Sequence, residues 1–248
     1  MMDANPNEDD PPVQTPARRE VLVLENVSFR DPTRQSLTLR DANLRLHEGE
    51  FATLGIPIAA ECRSFTSMLQ GLRMPQQGRI SFDGKNWEGD DFSQHDWMRS
   101  RIGRVYDGTA WIENLNIYEN VTLSERHHTP RTIDDIDREL REWCDFFEID
   151  DMRGQRPAFV GKAFLKICEW IRALLGSPLL LLLEHPMRSV PRTRFDQLIK
   201  ALRMMTSRGT AVLWIGREND LDDLTFPEQT LHYRAVNNKL VLIDEGGQ

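Results

Sequence analysis

The chain has 248 residues, a formal net charge of -8, and 40% hydrophobic and 28% charged residues, a composition typical of a soluble globular protein. The negative charge argues against a nucleic-acid surface, because duplex binding requires a basic face. The three cysteines, Cys62, Cys144 and Cys168, are far apart and form no Cys-x-x-Cys pair. Their pattern therefore predicts neither a zinc site nor a disulfide framework, and a reducing cytosol is expected.

The first residues and the longest apolar run indicate how the chain is organised. Residues 1–19 are acidic and proline-rich, which predicts a disordered tail without a signal peptide, followed by one module over 20–248. The run "IRALLGSPLLLLL" at 171–183 is interrupted by Gly176, Ser177 and Pro178. It is too short and too interrupted to span a membrane.

The first half of the module is predicted to be rich in strands. Strand character begins at 21–29, and two further segments, 37–46 and 51–56, flank a Glu-Gly turn in a pattern typical of antiparallel strands. A helix is predicted over 62–72, where apolar residues recur at helical spacing, and another strand over 79–84.

The second half is predicted to alternate helices and buried strands. Thr132 and Asp135 suggest a capping box for a helix with one apolar face, so its acids are interpreted as a solvated surface rather than a metal site. Further helices are predicted over 162–176 and 194–209, strands over 179–183 and 210–216, and a terminal hairpin around Asn237–Asn238. This order predicts an α/β domain with an antiparallel portion.

The leucine strand at 179–183 ends on Glu184 and His185. A strand this apolar belongs in a parallel sheet, whose carboxyl end is where open α/β folds place their chemistry. His185 is a candidate general base. However, adjacent strand residues point to opposite faces, so Glu184 and His185 are not expected to form a dyad.

The framing residues of these elements resemble one known family. They are Gly49–Glu50, Gly71–Leu72, Pro75, Gly78, Gly84, Glu119–Asn120–Val121, Arg172–Ala173–Leu174, Pro178 and Pro186. Together, from about residue 21 to about 246, they resemble the nucleotide-binding subunit of an ATP-binding-cassette (ABC) transporter. The resemblance implies a P-loop NTPase-like cassette fold: a parallel-sheet core, an antiparallel β subdomain and a helical insert at about 108–175.

The residues at the family's phosphate loop differ from the family pattern of glycines, Lys and Ser or Thr. In one register Ile56, Ala59 and Glu61 replace the glycines, Cys62 replaces the Lys, and Arg63, followed by Ser64, replaces the hydroxyl that holds Mg²⁺. In the other register, Glu61 replaces the Lys and Cys62 the hydroxyl. Neither register contains a Lys.

The remaining family motifs differ as well. The segment 160–164 stands where the signature sequence should lie. By the resemblance, Asp31 stands at the position of the adenine-stacking aromatic and Asp107 at that of the glutamine. Glu184 stands in place of the magnesium-binding Asp and His185 in place of the water-activating Glu. Arg217 stands in place of the switch histidine.

These replacements predict a chain that has the shape of the family but not its chemistry. A Lys about 4 Å from a phosphate contributes roughly 4 kcal/mol at an effective dielectric near 20, and an acid there would cost a similar amount. We therefore expect a non-hydrolysing pseudo-ATPase without ATP, Mg²⁺ or another metal. Cys62 is open to two interpretations, a reactive thiol or a small structural residue.

Two alternatives remain open from the sequence. A divergent ATPase that binds ATP and Mg²⁺ would have rebuilt its site with Arg63, Glu184 and Arg217, since Arg binds phosphate well. An unrelated hydrolase would use His185, but the sequence nominates no nucleophile for it.

The resemblance also implies partners and a location. A regulatory or structural subunit would associate with an intact paralogue, as a dimer, or with a membrane permease, at the cytoplasmic face of the membrane. In the family a permease helix enters a groove that maps to 107–123, where Trp111, Ile112 and Leu115 are candidate contacts. The alternative is that these three side chains pack internally.

Overall fold

The computed structural model describes residues 18–30, 37–57, 62–89, 91–108, 110–150, 152 and 154–243. The predicted disordered tail thus lies outside the described residues except for Arg18 and Arg19. Across the described ranges, no helix has both the length and the apolar character needed to cross a bilayer.

The described chain alternates strands and helices. The strands are β1 (Glu20–Phe29), β2 (Leu39–His47), β3 (Phe51–Ile56), β4 (Gln77–Phe82), β5 (Lys85–Asn86), β6 (Ile102–Val105), β7 (Leu180–Glu184), β8 (Ala211–Arg217), β9 (Leu231–Val236) and β10 (Lys239–Ile243). The helices are α1 (Arg63–Leu69), α2 (Phe92–Ser100), α3 (Ile117–His128), α4 (Ile133–Phe147), α5 (Lys162–Leu174), α6 (Phe195–Ser207) and α7 (Glu218–Asp222).

The strands form two sheets. The larger has the order β10-β9-β3-β8-β7-β6, and all its neighbours are parallel except the β9–β10 hairpin. The smaller sheet, β2-β1-β4-β5, is antiparallel. This arrangement confirms the predicted α/β cassette fold with a parallel core and an antiparallel portion. The terminal hairpin is also confirmed, with Asn237 and Asn238 both at positive φ.

The leucine strand lies between two apolar clusters. Leu180 and Leu182 belong to the cluster shared with the antiparallel sheet and α1. Leu181 and Leu183 belong to the cluster formed with α3 to α6. All four leucines are at most 2% exposed, which confirms the predicted strand buried on both faces. Its carboxyl end is thereby fixed beside the ends of β6 and β8.

The predicted antiparallel relation across the Glu48–Gly49 turn is wrong. β2 pairs with β1 in the small sheet, whereas β3 pairs in parallel with β8 and β9 in the large one. The burial pattern gives the reason. All six residues of β3 are buried, so β3 needs cover on both faces, whereas β2 alternates between buried and exposed positions over most of its length. The turn therefore connects two sheets.

Thr132 is the N-cap of α4 as predicted, but the full capping box is not formed. The Thr132 hydroxyl accepts a hydrogen bond from the Asp135 amide at 3.2 Å. It also donates to the Asp135 carboxylate at 2.7 Å, in place of the bond to the Thr132 amide that a full capping box would make. This hydrogen bond, together with Arg138, lowers the pKa of Asp135. The helix places its predicted apolar face against the second cluster.

Gly71 and Gly84 give a test of how tightly the small sheet packs on α1. Both have positive φ, +65° and +71°. A Cβ on Gly71 would lie 2.3 Å from the Trp87 ring, whereas none of the described atoms lies within 4 Å of a Cβ on Gly84. Gly84→Ala should lower the free energy of unfolding by about 1–2 kcal/mol through backbone strain alone. Gly71→Ala should lower the free energy of unfolding by about 1–3 kcal/mol more than Gly84→Ala does, because the neighbouring Trp87 ring must move.

Urea denaturation of both variants measures this difference. Equal losses for the two substitutions would contradict the packing described for Trp87.

Candidate functional site

Glu184 lies at the carboxyl end of β7, and none of its surface is exposed. Its Oε1 accepts from Arg104 Nε at 2.6 Å and from the Thr66 hydroxyl at 2.7 Å. Its Oε2 accepts from the Asp107 amide at 3.2 Å and from Cys62 Sγ at 3.7 Å. Both oxygens therefore accept two hydrogen bonds each, and an ionised carboxylate has about four acceptor positions in all.

Arg104 neutralises this carboxylate from the adjacent strand. Its side chain on β6 is 3% exposed, and its Nη1 donates to Gln70 Oε1 at 2.7 Å. Its Nη2 donates to the Thr66 hydroxyl at 2.5 Å and to the Arg63 carbonyl at 3.2 Å, and its guanidinium lies 4.4 Å from the centre of the Tyr106 ring. A buried ion pair is tolerated when its remaining donors are satisfied, as they are here.

Cys62 lies at the N-cap of α1 with its side chain fully buried. Burial raises the pKa of the thiol well above its usual range, and the nearby Glu184 and Asp107 carboxylates raise it further. The neutral thiol is thus the favoured form at physiological pH, which opposes the interpretation of Cys62 as a reactive thiolate.

His185 follows β7 in a left-handed conformation, with φ of 44°. Its amide donates to the Ile215 carbonyl at 2.8 Å. The left-handed turn ends the strand alternation on which the expectation of opposite faces was based, and both side chains lie near Cys62. Burial lowers the pKa of the His185 imidazole, and Asp107 opposes that shift.

Asp107 and Arg217 complete the predicted strand-end residues. The Asp107 carboxylate forms an ion pair with Arg188. Arg217 is half-buried at the N-cap of α7, where it lines a cavity of about 450 Å³ together with His185 and Arg188. The sheet therefore brings Asp107, Glu184 and His185 to Cys62, while Arg217 borders the adjoining cavity.

The other phosphate-loop positions are more dispersed. Ile56 is buried at the end of β3, Arg63 is exposed at the first position of α1, and Ser64 follows it, half-buried. Three residues, Asp31, Ala59 and Glu61, lie outside the described part of the chain, so their predicted roles stay predictions.

Sequence reasoning missed Arg104 and Thr66. Arg104 is a charged residue inside a short strand, and Thr66 is a polar residue on the buried face of α1. Each of these is a signal of a buried polar contact. Their mutual contact depends on placing β6 against α1, which no local pattern specifies.

Of the three predicted partner residues, Ile112 lines a second cavity, of about 600 Å³, which we call the insert groove. It lies between the end of α1, α2 and α3, and its lining includes Leu72, Tyr106, Ile112, Leu123 and Arg172. Ile112 is 44% exposed. Trp111 and Leu115 are half-buried.

Arg172 places a guanidinium at the wall of this groove. It lies 4.9 Å from the centre of the Trp111 ring, and its Nη1 donates to the Ala110 carbonyl at 2.8 Å. Its Nη2 is buried and has no hydrogen-bond partner among the described residues. The groove thus combines apolar surface with an unsatisfied donor.

Comparison with known proteins connects this fold to a family. No model of a known protein family matches the chain. Among curated proteins, it is 24% identical over 216 residues to the sulfate/thiosulfate import ATP-binding protein CysA of Pectobacterium atrosepticum, covering 86% of this chain and 61% of the relative. It is 27% identical over 173 residues to the spermidine/putrescine import ATP-binding protein PotA of Protochlamydia amoebophila, covering 69% and 44%. The chain thus spans about half the length of these relatives.

Solved structures agree in fold. The dimeric post-hydrolysis structure of the ATP-binding cassette MJ0796, bound to ADP and Pi, matches with a TM-score of 0.77 and 17% identity over 92% of this chain and 100% of that one. The cbiO1 protein of Clostridium perfringens, part of the ABC transporter complex cbiONQ, matches with a TM-score of 0.71 and 16% identity over 90% and 88%. These sequence relatives identify the chain as a homologue of ABC transporter ATP-binding subunits, with the fold of the solved cassettes.

Proposed function

We propose that this chain is a non-hydrolysing member of the family that serves as a regulatory or structural subunit of an ABC transporter complex. One observation carries the proposal. The strand-end acid, Glu184, is buried, neutralised by Arg104 and hydrogen-bonded at both oxygens.

Such a carboxylate does not fit a magnesium–nucleotide complex. Mg²⁺ needs a near-ideal octahedron of oxygen ligands, and each oxygen of Glu184 already accepts two hydrogen bonds. Arg104 also supplies the positive charge that a metal ion would otherwise contribute. Binding Mg²⁺ at Glu184 would require breaking this buried pair.

The start of α1 supports the same conclusion. Cys62, which takes the place of the family's Lys in one register and of its hydroxyl in the other, contacts Glu184 through its sulfur at 3.7 Å. That contact favours the register with Cys62 in the place of the hydroxyl, since the family's hydroxyl and strand-end acid both serve Mg²⁺. A neutral buried thiol contributes neither an ammonium nor a hard oxygen ligand to that place.

The insert groove supports the partner part of the proposal. Its apolar wall includes the exposed Leu72 and Ile112, and the Nη2 donor of Arg172 is without a partner among the described residues. A permease helix with an apolar face and an oxygen acceptor fits both features. Bound in this way, the chain would lie at the inner face of a membrane. A second cassette is the other proposed partner.

Arg63 supports the second candidate function, a divergent ATPase. Arg63 is exposed at the first position of α1, where a guanidinium can bind a phosphate. The two candidates differ in whether nucleotide binds, and this difference can be measured directly.

Removing Arg104 should test whether the buried pair fills the site. Arg104→Met leaves Glu184 as an uncompensated buried charge, and we expect a loss of about 3–5 kcal/mol in the free energy of unfolding. Adding Glu184→Gln removes that charge and should restore part of the loss, as a double-mutant cycle would show. Arg45→Met is the matched control, because Arg45 also lies on a strand and pairs with acids but has 52% of its side chain exposed. It should cost less than about 1 kcal/mol.

If Arg104→Met lowered the free energy of unfolding no more than Arg45→Met does, the buried ion pair would not be what makes Glu184 unavailable to a ligand.

Nucleotide binding is tested by thermal unfolding. We expect millimolar Mg-ATP to leave the melting temperature unchanged and the pure chain to release no phosphate, because Glu184 is unavailable and the phosphate-loop segment 56–64 contains no Lys. A ligand at a hundredfold excess over Kd would instead stabilise the fold by about 2.7 kcal/mol, a shift of a few degrees or more. An intact cassette under the same conditions serves as the positive control.

A shift in wild type accompanied by phosphate release, both of which disappear in Arg63→Ala, would establish the second candidate function and refute the first.

Partner binding is tested by affinity capture of the full chain from its own cells. We expect a permease subunit among the captured proteins. Ile112→Asp should reduce its recovery at least several-fold, because a carboxylate would have to be buried in the apolar wall. Met204→Asp, a change at a similarly exposed apolar residue on α6 (38% against 44% exposed), should leave recovery unchanged. Equal recovery with both variants, or no permease with wild type, would contradict the proposed use of the groove.

A further inference from the structure

We propose that Cys62, Asp107 and His185 form a binding site for a zinc-class divalent cation. This inference goes beyond the proposed function and does not depend on a permease or a second cassette. It also departs from the sequence-based prediction that the chain has no metal site.

Three separate elements bring the donors together. Cys62 is the N-cap of α1, Asp107 follows β6, and His185 follows β7. One thiol sulfur, one imidazole nitrogen and one carboxylate oxygen lie within 4.8 Å of one another. In a tetrahedral zinc site, bond lengths of about 2.0–2.3 Å place the donors about 3.5 Å apart. Small side-chain rotations of Asp107 and His185 would close the difference.

The donor set selects the kind of ion. Thiolate, imidazole and carboxylate are the ligands of Zn²⁺ and related first-row metals, whereas Mg²⁺ and Ca²⁺ prefer oxygen alone. Three protein ligands with a fourth position open is the arrangement that leaves room for water or a partner's side chain. The ion would thus differ in chemistry from the magnesium–nucleotide complex that Glu184 disfavours.

The backbone of His185 supports a built site. His185 is a non-glycine residue at φ of 44° directly after a buried strand, a conformation that costs roughly 1 kcal/mol or more and is concentrated at functional positions. The imidazole is directed to the cluster by this conformation. Its ring nitrogens make no hydrogen bond within the described part of the chain, so both are available there as metal ligands.

The surrounding charges leave room for a divalent ion. Glu184 is neutralised by Arg104 and stays outside the donor set. Asp107 pairs with Arg188 through Oδ1, which leaves its other oxygen for the metal, and Arg188 can remain as the partner that orients the carboxylate. Binding would release one proton, from the Cys62 thiol, as zinc–thiolate bonds require.

The site has an entry path. His185 and Arg188 line the cavity of about 450 Å³ beside the cluster, so an ion can reach the imidazole from this cavity without opening the core. Once bound, it would link the start of α1 to the loops after β6 and β7. These are the segments that the family uses to hold a nucleotide. The ion would therefore fix the shape of this edge without ATP.

The experiment is a metal titration of the full chain, stripped with a chelator and kept reduced with a phosphine. Zn²⁺ is added in competition with a chromophoric chelator, and Co²⁺ is then used as a spectroscopic probe. We expect one ion per chain, a rise in melting temperature, and a thiolate-to-cobalt charge-transfer band. Cys62→Ser should abolish that band. Asp107→Asn and His185→Gln should each weaken Zn²⁺ binding by at least about 10-fold.

Cys144→Ser is the matched control, because Cys144 is a cysteine of α4 outside the cluster, and it should bind Zn²⁺ like wild type. Circular dichroism checks that each variant is folded. If Cys62→Ser does not fold, the Asp107 and His185 variants still test the proposal. The proposal is overturned if wild type binds no Zn²⁺, or if the three cluster variants bind it as well as wild type does, which would place the ion elsewhere. Because the titration contains no nucleotide and no partner, its outcome is independent of the tests of the proposed function.

Discussion

The structure of this site depends on one buried ion pair, between Arg104 on β6 and Glu184 at the end of β7. Two charges removed from water are costly unless each finds a partner and their other polar atoms are satisfied. Here the guanidinium and the carboxylate satisfy each other, and Thr66, Gln70 and the Asp107 amide satisfy the remainder. Any ligand that needs Glu184 must first break this network, so the pair sets what the strand ends can bind.

The fold itself is held by the apolar core and not by the residues at the strand ends. The leucine strand and its neighbours are held by two apolar clusters, one on each face of the large sheet. Their burial does not involve the residues at the strand ends. Substitutions at the edge can therefore accumulate while the core is kept, provided that each buried charge stays paired. In the proposed function, the chain contributes its surface to a complex rather than its chemistry.

The strand-end cluster and the insert groove are separate features of that surface. The first gathers Cys62, Asp107 and His185 beside the neutralised Glu184. The second places apolar side chains and the Arg172 guanidinium between α2 and α3. Tyr106 connects them, because Arg104 contacts its ring at 4.4 Å and Arg172 at 5.6 Å. Arg104 itself also lines the groove, so a partner bound there would lie directly beside the buried pair.

The sequence by itself determined the class of the fold, the buried leucine strand, the cap of α4 and the terminal hairpin, because each depends on local periodicity or on a short hydrogen-bonding pattern. It also nominated Cys62, Asp107, Glu184 and His185, since they occupy the family's motif positions. Only the tertiary structure decided that β2 and β3 lie in different sheets, because that depends on which faces are covered. It alone identified Arg104 as the partner of Glu184 and turned His185 toward Cys62. The contact between Arg104 and Glu184 joins residues far apart in the chain. The left-handed conformation of His185 after a strand cannot be predicted from the alternation of side-chain directions along the strand.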